Sequence, residues 1–344
     1  MHIDFSWQLM PEFAIVGLAA VVLCAALIVA MLPLLVRYAL ARPNARSSHK
    51  APTPQGGGIA VIITVTLLVV PTMLYLTGFD PSQLQQLWFL LGAVAFLTVI
   101  GAIDDIRTIE ALPRLLSQFL AVSLVVFLLP EEIRVTPVVP FWLERAATVI
   151  AGVWFVNLVN FMDGIDCMTV AEMVPLTAAL CVLALVGALS QSATLVAFAL
   201  LGAMIGFLPF NRPVAQLFLG DVGSLPIGLL AFWLLLQLAG RGHVAAALLL
   251  PLYYLADATI TLLLRFHRGA SVMTAHRDHF YQQAIDRGLS VPAVISRVAA
   301  VNIVLALLAI ASAILRQPIF DLAAIGAGAA LVAILLANLA TSER

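Results

Sequence analysis

Charged side chains are scarce in this sequence. They make up 10% of its 344 residues, whereas hydrophobic residues make up 63%. A soluble globular domain has about 25% charged and roughly 45–50% apolar residues, so a single water-soluble core is excluded. The 17 basic and 18 acidic residues nearly balance, which leaves no overall basic field to hold a nucleic acid. The composition therefore indicates an integral membrane protein.

Cysteine and early basic residues are also rare. Cys24, Cys167 and Cys181 are isolated in the chain, which excludes a disulfide framework and a cysteine metal site. The first 36 residues contain neither Lys nor Arg. Because the basic region of a cleaved signal peptide is missing, we expect the first apolar stretch to remain in the membrane.

Long apolar runs fill most of the chain. A helix that crosses a bilayer needs about 20 mostly apolar residues, and eleven such runs are separated by polar, Pro-rich or Gly-rich breaks. The predicted spans are 12–36, 57–77, 87–103, 115–129, 146–161, 173–189, 193–209, 223–240, 244–264, 298–314 and 319–340. Ten spans are the alternative, because Pro130, Pro137 and Pro140 interrupt the chain beside a short run. The sequence thus predicts an all-α polytopic membrane protein whose residues 1–344 form a single domain.

The basic residues predict the orientation in the membrane. With eleven spans, thirteen of the seventeen Lys and Arg residues fall on one side. Short cytoplasmic loops collect Lys and Arg, so the amino terminus is predicted to be periplasmic and the carboxyl terminus cytoplasmic. The predicted cytoplasmic loops are 37–56, 104–114, 162–172, 210–222 and 265–297.

Five acidic residues lie at the predicted cytoplasmic ends of spans, in three separate segments of the chain. They lie in the segments GAIDDIR, NLVNFMDGID and LFLGDVGS and are Asp104, Asp105, Asp163, Asp166 and Asp221. Like charges ~4 Å apart repel by roughly 4 kcal/mol at an effective dielectric of 20, so such a group favours a cation. Carboxylates with retained water are the ligands of Mg²⁺. Each one could instead cap a helix, but the convergence of three segments favours a site.

Other polar residues have two interpretations each. Asn157 and Asn160 share one helical stripe and bind either a ligand or a neighbouring helix. Ser224 is a plausible N-cap before Pro226, which predicts a helix start that can bind phosphate. Asp257 lies inside a span, where an acid is a functional candidate by default, although it could simply pair with Arg265 on the same stripe.

Two predicted cytoplasmic loops carry histidine and basic side chains. The segment SSHKAPTPQGGG contains His49 and Lys50. The segment RFHRGASVMTAHRDHF contains Arg268, His276, Arg277 and His279. Zinc is disfavoured because neither cysteine nor a tight His/Glu set completes a site. These side chains are predicted donors to phosphate or sugar oxygens.

Five motifs in series resemble those of the polyprenyl-phosphate N-acetylhexosamine-1-phosphate transferase family. They are HKAPTPQGGG, GAIDDIR, NLVNFMDGID, NRPVAQLFLGDVGSLPIG and HRDHFYQQ, and they extend over residues 48–283. The resemblance is closer to the bacterial enzymes that start O-antigen or other surface-glycan lipids than to phospho-N-acetylmuramoyl-pentapeptide transferase. It implies that a UDP-N-acetylhexosamine gives its sugar 1-phosphate to undecaprenyl phosphate at the cytoplasmic face of the bacterial inner membrane, with release of UMP. It also implies Mg²⁺, with Mn²⁺ as a substitute, and a homodimer as found among relatives.

The resemblance also implies roles for individual residues. Asp104 and Asp105 match the paired acids, of which the first deprotonates or orients the lipid phosphate, and Asp221 matches the Mg²⁺ ligand. The segment matching NxxNxxDGxD at the nucleotide site contributes Asn157, Asn160, Asp163 and Asp166. The parts that contact phosphate and sugar contribute Lys50, His276, Arg277 and His279, with His49, Asp257 and Arg268 as further candidates. Two departures, Cys167 where a Gly is common and Gln55 where a basic residue is frequent, bear on sugar preference.

Two alternatives remain open at the level of sequence. One is a peptidoglycan-precursor transferase that uses a UDP-muramoyl-pentapeptide. The other is a cation-coupled transporter, which would have carboxylates near the bilayer midplane and paired repeats with broken helices. Asp257 is the one acid placed well within a span, and no internal repeat is visible, so an enzyme is favoured.

Overall fold

The computed structural model describes residues 9–41, 52–77, 81–270 and 276–341. Within these ranges the chain forms α-helices and one pair of two-residue strands. The helices are α1 (Met10–Tyr38), α2 (Gly57–Thr77), α3 (Pro81–Ile106), α4 (Ala111–Phe127), α5 (Phe141–Met162), α6 (Met168–Leu185), α7 (Gln191–Asn211), α8 (Asp221–Ala239), α9 (Val244–Leu249), α10 (Leu252–His267), α11 (Phe280–Asp286), α12 (Val291–Leu315) and α13 (Pro318–Thr341). Strands β1 (Leu40–Ala41) and β2 (Thr53–Pro54) pair antiparallel.

Nine of the described helices are long and apolar enough to cross a membrane: α1, α2, α3, α5, α6, α7, α8, α12 and α13. Helix α4 is apolar but has only 17 residues. The prediction of an all-α polytopic membrane protein is therefore confirmed. The orientation of the termini stays a prediction.

The predicted continuous span 244–264 is wrong. The chain there breaks at Pro251 into the short helix α9 and the helix α10. Proline lacks a backbone N–H and clashes with the preceding turn, so it disfavours continuation of a helix through that position. The break gives α10 a start of its own, at Leu252.

Helix α8 lies at the centre of the fold. All of its residues from Val222 to Ala239 are buried, and it packs against α2, α3, α5, α7 and α9. Close approach requires glycine on two sides: a Cβ on Gly58 of α2 would lie 2.1 Å from the Gly223 Cα, and a Cβ on Gly101 of α3 would lie 2.3 Å from the Asp221 carbonyl oxygen. This packing holds the first turn of α8 against the end of α3.

Candidate active site

The three predicted acidic segments meet at the ends of helices α3, α5 and α8. Asp104 and Asp105 are in the last turn of α3, Asp163 directly follows α5, and Asp221 begins α8. The structure joins α3 to α8 through Asp105 and Asp221. It also brings Asp163 close enough for the charge of Asp105 to act on it. The carboxylates are therefore near neighbours at the ends of their helices.

Asp105 caps the start of α8. Its Oδ1 accepts a hydrogen bond from the Asp221 backbone N–H at 2.9 Å, and its Oδ2 accepts one from the Val222 N–H at 3.1 Å. The N-cap of α8 is Gly220 and not Ser224, which corrects the sequence-based interpretation. Because Asp105 accepts from the first N–H groups of the helix, these groups are not the phosphate site suggested by the sequence.

Asp104 and Asp221 are the residues of the site that could hold a cation. Their carboxyl groups lie within hydrogen-bonding reach of each other. The Arg114 Nη1 is 2.9 Å from Asp104 Oδ2 and 3.6 Å from Asp221 Oδ2. The second oxygen of Asp104 accepts from the Ile109 N–H at 2.6 Å. Asp221 Oδ1 accepts from the Asn160 Nδ2 at 2.8 Å, so both acids are held by donors from other segments.

This arrangement fits Mg²⁺ better than a metal that needs a full protein cage. Two carboxylates at such close range require a shared proton or a positive charge between them. Among the described residues, no group of three or more His, Cys, Asp or Glu side chains is arranged to hold a metal ion. Mg²⁺ is usually bound by one or two carboxylates together with waters and substrate phosphates, and the Asp104–Asp221 pair offers that number.

Asp163 and Asp166 differ in their surroundings. The Thr169 hydroxyl donates to Asp163 Oδ1 at 2.6 Å. Burial raises the pKa of Asp163 from 3.8 to about 7 despite this hydrogen bond, and the charges of Asp105 and Asp166 raise it further. A carboxyl group that titrates near neutral pH can take up and release a proton. Asp166 is buried and accepts from the Ala215 N–H at 3.0 Å, which ties it to the connection between α7 and α8.

The two asparagines of α5 have different partners. Asn160 donates to Asp221 and to the Ser224 Oγ, the latter at 2.9 Å. Asn157 instead donates to the Gln118 Oε1 of α4. The structure thus places Asn160 at the acidic cluster and Asn157 in a contact between helices, which is the helix-packing interpretation of Asn157.

The loop that contains His276 and His279 packs against the end of α5. Ring centroids of His276 and His279 are 5.1 Å apart, and His279 is buried with 2% of its side chain exposed. The Tyr281 hydroxyl donates to the Phe161 carbonyl oxygen at 3.2 Å. A Cβ on Gly164 would lie 2.1 Å from this hydroxyl, so the glycine of the DGID motif makes room for Tyr281.

The remaining predicted site residues either have contacts outside the acidic cluster or fall outside the residues that the structure describes. Arg277 pairs with Asp286 at 2.9 Å, and Arg268 is exposed just after α10. His49 and Lys50 lie outside the described residues. Sequence reasoning missed Arg114, although its position ten residues after Asp104 in the predicted loop 104–114 was a signal.

A family profile and several known proteins are similar to this chain in sequence. Residues 87–239 match the sequence profile of Glycosyl transferase family 4. The decaprenyl-phosphate N-acetylglucosaminephosphotransferase of Mycolicibacterium smegmatis is 27% identical, over 81% of this chain and 77% of that protein. The protein of the same name from Mycobacterium leprae is 30% identical, over 64% of this chain and 59% of that protein, which is less than two thirds of its length. The phospho-N-acetylmuramoyl-pentapeptide-transferase of Aquifex aeolicus is 27% identical, over 77% of this chain and 80% of that protein.

Proposed function

Because the chain belongs to the polyprenyl-phosphate N-acetylhexosamine-1-phosphate transferase family, we propose that it makes the first lipid-linked sugar of a bacterial surface glycan such as O-antigen. The donor is a UDP-N-acetylhexosamine and the acceptor is undecaprenyl phosphate, at the cytoplasmic face of the inner membrane. The products are undecaprenyl-diphosphate-N-acetylhexosamine and UMP. N-acetylglucosamine is the first donor to test, since it is the sugar named for the mycobacterial relatives.

The observation that carries this proposal is the Asp104–Asp221 pair with Arg114 beside it. A lipid phosphate and a nucleotide diphosphate repel each other, so a site that joins them must supply positive charge and hold both in line. The pair lies at helix ends, where a phosphate headgroup can reach it while the isoprenoid tail stays in the bilayer. A site with these charged groups at the ends of membrane helices suits the transfer of a phosphosugar to a lipid.

Asp104 and Asp221 are the residues that would hold Mg²⁺. When bound, Mg²⁺ neutralises developing negative charge on the transferred phosphoryl group and its leaving group. Asn160 orients the Asp221 carboxylate through the hydrogen bond to its Oδ1. Asp105 holds the first turn of α8, and with it Asp221, against α3. Asp104 is proposed to orient the lipid phosphate, and Asp163 to accept its proton near neutral pH.

In the proposed reaction, an oxygen of the lipid phosphate attacks the phosphorus that carries the sugar. One P–O bond forms to that oxygen, and the P–O bond to UMP breaks. The hydroxyl proton of a singly ionised lipid phosphate passes to the protein before attack, and UMP leaves with the electron pair of the broken bond. This chain therefore needs to position two phosphates and to hold one proton.

The peptidoglycan-precursor transferase stays a second candidate because of the similarity to the Aquifex aeolicus protein. It differs in its donor, a UDP-muramoyl-pentapeptide. The transporter interpretation is not favoured. The break at Pro251 is a broken helix, but the acids collect at helix ends rather than at the midplane that a transported cation would cross.

Purified protein with Mg²⁺, undecaprenyl phosphate and one UDP-sugar at a time tests the proposal. The donors are the UDP derivatives of N-acetylglucosamine, N-acetylgalactosamine, N-acetylfucosamine and N-acetylquinovosamine, together with UDP-muramoyl-pentapeptide. We expect lipid-dependent UMP release with an N-acetylhexosamine donor and a lipid product of matching mass. Asp221→Asn should abolish it. Glu144→Gln changes a buried carboxylate in the first turn of α5, about 24 Å along the helix from Asn160, and should leave turnover unchanged. Turnover with the pentapeptide donor alone would select the second candidate.

A further inference from the structure

Asp257 is fully buried in α10 and is surrounded by hydrogen-bond donors. From its own helix, the Tyr253 hydroxyl donates to Oδ2 at 3.2 Å and the Thr261 hydroxyl to Oδ1 at 3.3 Å. From the loop that follows, the His279 Nδ1 lies 3.2 Å from Oδ1 and the Phe280 N–H donates to Oδ1 at 3.1 Å. A buried carboxyl group with donors on both oxygens acts as an acceptor.

The sequence suggested Arg265 as the partner of Asp257. In the structure Arg265 forms its ion pair with Asp278. Asp257 is thus left to His279 and to the first N–H of α11. Since His279 is the N-cap residue of α11, one carboxylate both binds the imidazole and caps the helix that follows it.

The Asp257 oxygen beside the His279 Nδ1 determines which ring nitrogen of His279 carries the proton. A carboxylate can only accept, so Nδ1 must donate. The His279 ring packs against the rings of His276 and Tyr281, with centroid distances of 5.1 Å and 5.8 Å. His279 is 2% exposed, whereas His276 is 10% exposed. The more buried histidine therefore supports the less buried one.

We propose that Asp257 and His279 form a buried positioning dyad, which fixes the loop 276–279 against α10 and supports His276 as the side chain presented to the donor. This inference rests on the proposed function for its effect on turnover. It assigns the two histidines different tasks, since His279 acts through its Nδ1 hydrogen bond and not by touching substrate. It also gives Asp257, a residue of α10, a role in positioning the loop rather than a role in the membrane interior.

Two amide substitutions at His279 separate positioning from substrate contact. The side-chain N–H of Asn can replace an Nδ1–H donor, whereas that of Gln reaches the place of Nε2. We expect His279→Asn to keep kcat within a few-fold of the wild type. His279→Gln should lower it by about 10–100-fold, the usual effect of losing a residue that orients a site. The opposite order would overturn the proposal, since it would make Nε2 the working nitrogen.

A double-mutant cycle tests whether Asp257 acts through His279. We expect Asp257→Leu, which removes the acceptor, to lower kcat about 10–100-fold and to have little further effect in a His279→Gln background, because the two residues form one unit. Effects that multiply would show independent roles and overturn the dyad. Glu144→Leu is the matched control, because Glu144 is also a buried carboxylate that accepts from two backbone N–H groups, those of Val135 and Thr136.

A spectroscopic measurement keeps the dyad testable apart from transferase activity. In protein labelled with ¹⁵N-histidine, we expect His279 to show a protonated Nδ1, and we expect this signature to be lost in Asp257→Leu, which has no acceptor. A wild-type His279 with its proton on Nε2 and a bare Nδ1 would overturn the proposal. If the wild type released no UMP from any donor but showed the Nδ1–H signature, the proposed function would fail while the dyad stood.

Discussion

The Asn160 amide joins two helices at the candidate site: its Nδ2 lies 2.8 Å from Asp221 Oδ1 and 2.9 Å from Ser224 Oγ. A neutral donor therefore faces a carboxylate that has another carboxyl group, that of Asp104, within hydrogen-bonding reach. The amide orients Asp221 without adding charge, and the other carboxylate oxygen of Asp221 lies 3.6 Å from the Arg114 Nη1.

Replacing this donor by an acid should make the site depend on a cation. We expect Asn160→Asp to lower the melting temperature in detergent more than Asn160→Ala does, because carboxylates ~4 Å apart repel by roughly 4 kcal/mol at an effective dielectric of 20. Added Mg²⁺ should recover most of that difference. Equal melting of the two variants with and without Mg²⁺ would argue against a cation at Asp221.

Gly220 should not tolerate a side chain. Its φ is +79°, and a Cβ there would lie 2.5 Å from Asp105 Oδ2, so Gly220→Ala should displace the cap of α8 and lower both stability and turnover. Gly242 is the matched control, because its φ is +89° and a Cβ there would meet no atom within 4 Å. Gly242→Ala should show only the backbone strain, roughly 1 kcal/mol. Thermal melting and UMP release measure both, and equal losses would remove Asp105 from the explanation.

The stability of the metal-free protein should fall as pH rises through neutrality. Asp163 has a pKa of about 7 in the folded protein against an ordinary value of 3.8, so the folded state holds this proton more tightly than the unfolded state. Its contribution is fully present below pH 3.8 and is lost as pH rises through about 7. Melting temperatures between about pH 5 and pH 8 should therefore fall less steeply in Asp163→Asn than in the wild type. Parallel curves would show that Asp163 titrates elsewhere.

Arg114 should compete with Mg²⁺. Its guanidinium lies beside both carboxylates of the pair, so Arg114→Gln is expected to tighten Mg²⁺ binding by about tenfold, which corresponds to ~1.4 kcal/mol of repulsion removed. Titration of the melting temperature with Mg²⁺ measures this. Arg134→Gln removes an arginine that pairs with Glu144 and should not change Mg²⁺ binding. Weaker Mg²⁺ binding in Arg114→Gln would contradict the assigned competition.

Cys167 occupies a backbone conformation that favours glycine. Its φ is +61°, and its N–H donates to Asn211 Oδ1 at 2.8 Å. Left-handed backbone costs an ordinary residue roughly 1–2 kcal/mol, which about offsets the burial lost by removing the thiol. Cys167→Gly should therefore leave the melting temperature nearly unchanged. Cys167→Val should lower it clearly, since β-branched residues tolerate this region poorly; a stable Val variant would contradict this account.

The fold class could be predicted because bilayer-spanning chains have few choices. Helices satisfy their own backbone groups in lipid, so apolar runs of sufficient length become helices wherever they occur. The break at Pro251 was harder to predict, because the run 244–264 is apolar throughout most of its length and some proline-containing helices do continue: α8 contains Pro226 and α7 contains Pro209. Packing against neighbours decides between a tolerated proline and a break.

The candidate site could be predicted by residue type but not by partner. Asn157 and Asn160 share a stripe in the sequence, yet they are about 4.5 Å apart along the helix axis, and only Asn160 is placed at Asp221. Arg265 looked like the natural partner of Asp257 because it follows on the same face, but a loop residue, His279, took that place. Spacing along a helix indicates which residues share a face and does not indicate which segment will pack against it.

Hydrophobic run length and side-chain chemistry are properties of each segment alone, so they were sufficient to identify a helical membrane protein with acidic and histidine-rich motifs. The folded chain was needed to show which carboxylate caps a helix, which one faces another acid and which one binds a histidine. The reason is distance along the chain: the N–H of Val222 that binds Asp105 is 117 positions away from it, and such contacts depend on how whole helices pack.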